Sequence, residues 1–174
     1  MAVILEIIKT TVPALVVFAT VYYLMKQYLD KQHALKALEF RQNVGKTTVP
    51  LKLQAYERLS LFCERISVPN LVLRLRSEGQ NASLLRVSML VAIQQEFEHN
   101  ITQQVYVSDN LWQIIKVARD NTVGIINGVA ENIDPKASGE EYANALLHYT
   151  NTQEVTALDK ALQAIKREAG ILLG

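Results

Sequence analysis

The chain has 174 residues, 18 basic against 17 acidic, 7% aromatic residues and one cysteine. That length fits one domain plus an anchor rather than two domains. The near-cancelled charge and the lack of interleaved basic and aromatic residues argue against nucleic-acid binding. Cys63 alone excludes an intrachain disulfide framework and fits a reducing compartment; it reads as a small buried apolar side chain, not a reactive thiol.

Residues 10–25 carry no charge, and apolar character reaches back to Val3 with only Glu6 and Lys9 interrupting it. The uncharged core alone spans roughly 24 Å as a helix, short of the ~30 Å hydrocarbon layer, whereas counting from Val3 makes it long enough. Pro13 is tolerated in a membrane helix, and Tyr22, Tyr23 and Tyr28 fall where an interfacial belt belongs. A cleaved signal peptide would have a basic start and small residues at a cleavage site, an interfacial helix a strongly polar face, and a soluble core helix a less uniform one. The segment therefore predicts a transmembrane helix. Lys26, Lys31, Lys36 and Arg41 follow it and only Lys9 precedes it, which predicts an N-terminus outside and a cytoplasmic C-terminal domain.

Residues 27–40 read as a helical continuation, and 43–50, with Gly45 and Pro50, read as a break and linker. Leu51, Ala55, Leu59, Phe62 and Ile66 then form a helical stripe opposite Lys52, Glu57, Glu64 and Arg65. Ser67 as N-cap and Pro69 in a first turn predict a short helix through 71–76, followed by a turn at 77–81. Leu85, Met89, Ile93 and Phe97 recur every four residues and predict a helix over 82–100. Residues 101–107 alternate and read as an extended connector. Ser108 caps a helix to about Asn132, with Leu111, Ile115, Ala118, Ile125 and Val129 inward, and Pro135 follows its end. Ser138-Gly-Glu-Glu141 and Asn151-Thr-Gln-Glu154 resemble capping boxes opening two further helices. The last carries Val155, Leu158, Leu162, Ile165 and Ala169 and closes at Gly170. The expected fold is all-α: an anchor over 1–27, a juxtamembrane helix and linker over 28–49, and a cytoplasmic bundle of about five helices over 50–174.

Motifs with chemistry are few. Gly45-Lys46-Thr47-Thr48 ends like a phosphate-binding loop, but position 40 is Phe40 and a helix precedes it, so it reads as linker. Glu96-Phe-Glu-His99 is half of the Glu-x-x-His signature of carboxylate di-iron bundles; no second step exists, and a polar network near the helix end is the simpler reading. No nucleophile elbow occurs and Cys63 lacks an activating neighbour in sequence. Gly124-Ile-Ile-Asn-Gly128 permits close helix approach. The acceptor patterns at Asn81 and Asn100 are irrelevant on a cytoplasmic side. No catalytic residue, metal or cofactor is expected.

Leu53-Gln-Ala-Tyr-Glu-Arg-Leu59 with Phe62 and Glu64-Arg-Ile66, and Glu96-Phe-Glu-His-Asn100 with Gln103-Gln-Val-Tyr-Val-Ser108 and Trp112, carry a resemblance. They resemble a family of uncharacterised membrane-anchored proteins from the Bacteroidetes group, over most of residues 50–112. The resemblance implies an anchor layout and no assigned activity. The expected protein is a single-pass inner-membrane component acting as a scaffold or through contact with an unidentified protein partner, with homo-oligomerisation left open and nucleic acid excluded. Its candidate polar network or interaction surface is Tyr56, Glu57, Arg58, Glu64, Arg65, Glu96, His99, Gln103, Gln104 and Trp112. The alternative is a metal-binding helical-bundle enzyme using Glu96 and His99 with glutamates such as Glu57 and Glu64.

Overall fold

The computed structural model describes residues 2–174, with the side chains of 2–14, 34, 37–45 and 47 left out. The described residues form six α-helices, one short 3-10 helix and no strand: α1 (Ala2–Arg65), α2 (Val68–Leu75), α3 (Ala82–Asn100), the 3-10 helix (Ile101–Val105), α4 (Asp109–Ala130), α5 (Gly139–Asn151) and α6 (Ala157–Leu173). They divide into two compact units, Met1–Thr48 and Val49–Gly174.

The break expected at 43–50 is absent, because α1 runs through it. Glycine and proline cost a helix interior about 1 and about 3 kcal/mol. Ending the helix there would instead require nucleating a new one before residue 51, and propagation from both sides is the cheaper outcome. Among the described residues no helix is long and apolar enough to cross a membrane. The expected anchor over 1–27 begins in residues whose side chains lie outside those described.

In the unit Val49–Gly174 the predicted stripes face inward except at Leu51 and at Val155, which are exposed, Val155 lying before the start of α6. Ala55, Leu59 and Phe62 of α1, Ile66 just after it, and Leu85, Met89, Ile93 and Phe97 of α3 are all buried, together with Cys63. On α4 the buried line is Leu111, Ile115, Ala118, Thr122 and Ile126. The expected Ile125 and Val129 are only partly covered. Thr122 tolerates burial because its hydroxyl donates to Ala118 O at 3.0 Å. Tyr142, fully buried on α5, donates its hydroxyl to Ile126 O at 2.6 Å and so fastens α5 to α4. Among the described residues no buried side-chain polar atom lacks a partner, as a well-packed interior requires.

Helix starts follow cap chemistry with two corrections. Asn81, Ser108 and Ser138 accept from backbone N–H groups three residues on, at 2.8, 3.2 and 3.1 Å. Ser67 stands at the start of α2 but does not cap it; its hydroxyl donates back to Glu64 O at 2.8 Å, beside Asn70 Nδ2 at 2.7 Å, satisfying the open end of α1. The box expected at Asn151–Glu154 is formed instead by Thr156 and Asp159, since Asn151 still belongs to α5. Residues 101–105 form a 3-10 turn rather than an extended connector, a common way for an α-helix to finish. α6 passes through Gly170 to Leu173. The loops entering α3 and α5 are stitched by Ala82 N–H to Ala137 O at 2.9 Å and Gly139 N–H to Gln80 O at 2.7 Å. A Cβ on Gly139 would lie 2.8 Å from that carbonyl, so only glycine fits.

Residues 49–174 contain this core and its caps in full. Produced alone, they are expected to give a helix-dominated circular dichroism spectrum and one cooperative melt. A disordered fragment would show that the core needs the preceding part of α1.

Candidate functional site

The two sequence stretches singled out above meet in part. Phe62, on the buried stripe of α1, packs against Phe97 of α3 with ring centroids 6.2 Å apart, and Phe97 stacks on Trp112 of α4 at 5.6 Å. This contact places the end of α3 over the exposed stripe of α1. Arg58, Leu61 and Arg65, spaced three and four apart on α1, then line a groove of about 240 Å³ with Phe62, Glu96, His99 and Asn100.

Within the groove Glu96 is the fixed charge. Its side chain is only 13% exposed and its Oε1 lies 2.8 Å from Arg65 Nε and 3.4 Å from Arg74 Nη1. Arg74 of α2 also donates to Arg65 O at 3.3 Å, so one carboxylate joins three helices. Asn100, buried, donates its amide to Glu96 O at 2.8 Å and closes the last turn of α3. His99 and Arg58 are exposed. Removing one partner of a pair whose carboxylate is largely desolvated costs more than breaking a surface pair, because the remaining charge is left without a counterpart.

The remaining predicted residues lie elsewhere. Tyr56 is buried and donates its hydroxyl to Glu168 Oε1 of α6 at 3.1 Å. Glu168 also accepts from Ser108 N–H at 2.9 Å and from the Ser108 hydroxyl at 2.5 Å, which forms a second polar cluster. Glu57 and Glu64 are exposed on α1, and Gln104 is exposed on the 3-10 turn. Gln103 is buried with a long 3.4 Å contact to Thr102 Oγ1. Trp112 belongs to the aromatic core and not to a polar surface. Arg74, Ser108 and Glu168 were not foreseen, because their partners lie 22, 60 and 112 residues away in sequence. The only sequence signal was that Arg74 and Glu168 are charges on otherwise amphipathic helices.

Among the described residues no three His, Cys, Asp or Glu side chains gather as a metal-holding set, and Glu96, the acid of the expected half-signature, is already held by two arginines. Cys63 is buried, and burial first, then the Glu64 charge, pushes its thiol up to about 12, which removes the thiolate needed for nucleophilic chemistry. A cleft of about 500 Å³ is walled by the capping loops before α3 and α5. Several of its groups are engaged in holding the fold: Asn81 and Ser138 cap helices, and Arg76 pairs with Glu140 at 3.7 Å.

Fold and site together define an all-helical protein with a charged groove between two helices and no assembled catalytic constellation among the described residues. The chain belongs to a family of unknown function (DUF7935), whose model matches residues 2–172 and so runs across both units. Neither a curated protein nor a solved structure matches the chain.

Two expectations follow from these contacts. Burial raises Tyr56 and Tyr142 from 10.0 to about 12, as it raises Cys63 from 9.0. For Tyr56 the Glu168 charge adds to the effect. The folded chain therefore keeps protons that the unfolded chain releases from about pH 9 upward, so this stabilisation is complete below pH 9 and is lost as pH rises towards about 12. The melting temperature should fall progressively across that window, and less steeply in Tyr142→Phe; a flat profile would remove these groups from the account.

Glu96→Ala leaves Arg65 and Arg74 without their shared carboxylate and should lower unfolding stability by about 1–2 kcal/mol. His99→Gln, at an exposed position, should stay within about 0.5 kcal/mol of native. Denaturant titration reads both. Stoichiometric metal in the native protein, lost on His99→Gln, would contradict the structural role and restore the metal-enzyme alternative.

Proposed function

We propose that this is a membrane-anchored helical protein of the inner membrane whose unit Val49–Gly174 works on the cytoplasmic side as a protein-contact module. One observation carries the reading. Leu15, Val16, Val17, Phe18, Val21, Tyr22, Tyr23, Leu24 and Met25 are each between 52% and 69% exposed on α1. Near-consecutive residues point in all directions around a helix, so this segment is apolar on every side rather than along one stripe. A helix of that kind is covered by lipid or by protein. The absence of a polar face, the tyrosines after its centre and the lysines that follow all support lipid. The family match, which includes this segment, supports treating it as part of the working protein.

A contact role for the second unit is supported by what its polar residues do: Glu96 and Glu168 hold helices together, while Arg58, Leu61 and His99 remain exposed around one groove. The metal-enzyme alternative has less support, since its required carboxylate is committed to arginines.

A reporter that works only in the cytoplasm, fused after Gly174, is expected to be active, and the chain should stay with membranes through alkaline carbonate washing. Activity of a periplasm-only reporter at that position would reverse the orientation. Release by carbonate would remove the anchor.

A further inference from the structure

We infer that the groove between α1 and α3 receives an acidic segment of a partner protein that also presents an apolar side chain. This deepens the contact-module reading above and rests on it. The groove has a chemically mixed lining with an uneven charge. Leu61 is 55% exposed at its edge above the buried Phe62 ring, an apolar spot with no cover. Beside it two guanidinium groups, Arg65 and Arg74, face the single carboxylate of Glu96, so this cluster keeps a net positive charge.

Arg58 adds to that charge. Arg65, Arg74, Arg76, Arg86 and Arg119 are each engaged by a carboxylate or an amide oxygen. Arg58 has no such partner among the described residues. It stands on the same helical stripe as Leu61 and Arg65, one turn to each side of the leucine. Exposed cations along one side of an apolar spot complement a segment that carries a carboxylate beside an apolar side chain, as an acidic amphipathic helix does when it rests on a groove with one side chain inserted. Arginine and a large apolar anchor are also the side chains that dominate binding energy at such surfaces.

The same lining selects against other occupants. Glu57 and Glu64 are exposed on the neighbouring stripe of α1, so a partner carboxylate is favoured over Arg58 and Arg65 and repelled on the far side, which fixes one orientation. A groove of about 240 Å³ admits a side chain or two but not a nucleotide-sized ligand. An anionic lipid headgroup would gain from the arginines yet leave Leu61 unmatched.

The test uses the full chain in nanodiscs of zwitterionic lipid and a fluorescein-labelled helical peptide built from Leu-Glu-Glu-Leu turns, with a Gln-for-Glu peptide as its neutral partner. Fluorescence anisotropy should show saturable binding of the acidic peptide and binding of the neutral one weaker by about tenfold or more. Arg58→Gln and Leu61→Asp should each weaken the acidic peptide by about five- to tenfold at an unchanged melting temperature. Arg167→Gln, at an exposed cation outside the groove, should leave it unchanged. Equal binding of the two peptides, no saturable binding, or equal effects of Arg58→Gln and Arg167→Gln would overturn the inference. So would a preference for discs containing anionic lipid that depends on Arg58, or self-association abolished by Leu61→Asp. Protein that fails to enter the discs counts against the anchor, and the peptides are then titrated against the same chain in solution. Protein that enters them but ignores peptide charge counts against the acidic partner alone.

Discussion

Three helices of the folded unit meet at the ring of Phe97: its own α3, α1 and α4. Phe62 of α1 meets it at 6.2 Å and 56°, Trp112 of α4 stacks on it at 5.6 Å and 22°, and the Arg119 guanidinium lies 4.1 Å from its centroid. Aromatic pairs of this geometry contribute about 0.5–1.5 kcal/mol each beyond area burial, and a partly desolvated cation over a ring contributes about 0.5–2 kcal/mol. Arg119 is itself held by Asp120 at 2.6 Å, which keeps the cation over the ring. A ring packed this way leaves α3 little freedom to rotate, so the residues beside it in sequence inherit their positions. Glu96 is set against Arg65, and His99 and Asn100 close the groove from the α3 side.

Glu168 does for α6 what Phe97 does for α3, by hydrogen bonding. Its two oxygens take the Tyr56 hydroxyl, the Ser108 N–H and the Ser108 hydroxyl. The Ser108 hydroxyl at the same time accepts from Leu111 N–H, so the start of α4 is capped and tied to α6 through one side chain. A slip of one residue in α6 would carry Glu168 about 100° away from these donors and break all three hydrogen bonds at once, each worth about 0.5–1.5 kcal/mol. Apolar burial brings the helices together without fixing their register. These two carboxylates fix it.

What was legible in the sequence followed from local rules. The four-residue spacing of Leu85, Met89, Ile93 and Phe97 gave α3 and its buried face, because that period leaves only one way to hide four large side chains. On α4 the same reasoning missed by one position at Ile125, since a polar Thr122 interrupts the apolar line and its self-satisfying hydroxyl is invisible until the helix exists. Caps were readable at Ser108 and Ser138, which stand one residue before their helices, and were missed at Asn81 and Thr156, which do the same. Ser67 misled because its donor bond to Glu64 O competes with capping. Of the candidate site, Arg58, Arg65, Glu96 and His99 were brought together as a polar cluster, whereas Arg74 and Glu168 were out of reach, because an ion pair or hydrogen bond across many residues depends on packing that no local pattern encodes.

One helix, α1, carries two opposite relations to its surroundings. Between 55 and 65 its apolar side chains other than Leu61 recur on one stripe and are buried, while Glu57, Arg58, Leu61, Glu64 and Arg65 stay exposed. Between 15 and 25 the apolar side chains go all the way round, and covering nine of them is worth on the order of 10 kcal/mol or more. That driving force has no direction and no selectivity, which suits attachment to lipid. The groove at Arg58, Leu61 and Arg65 has the reverse character: its apolar area is small and charged side chains line it. An anchored protein does not need a large interface to hold a partner, because confinement to a membrane surface raises the local concentration of anything attached to the same surface. On the proposed reading a shallow groove with one exposed leucine and guanidinium groups along one side is then sufficient, and strength and specificity come from separate stretches of one helix.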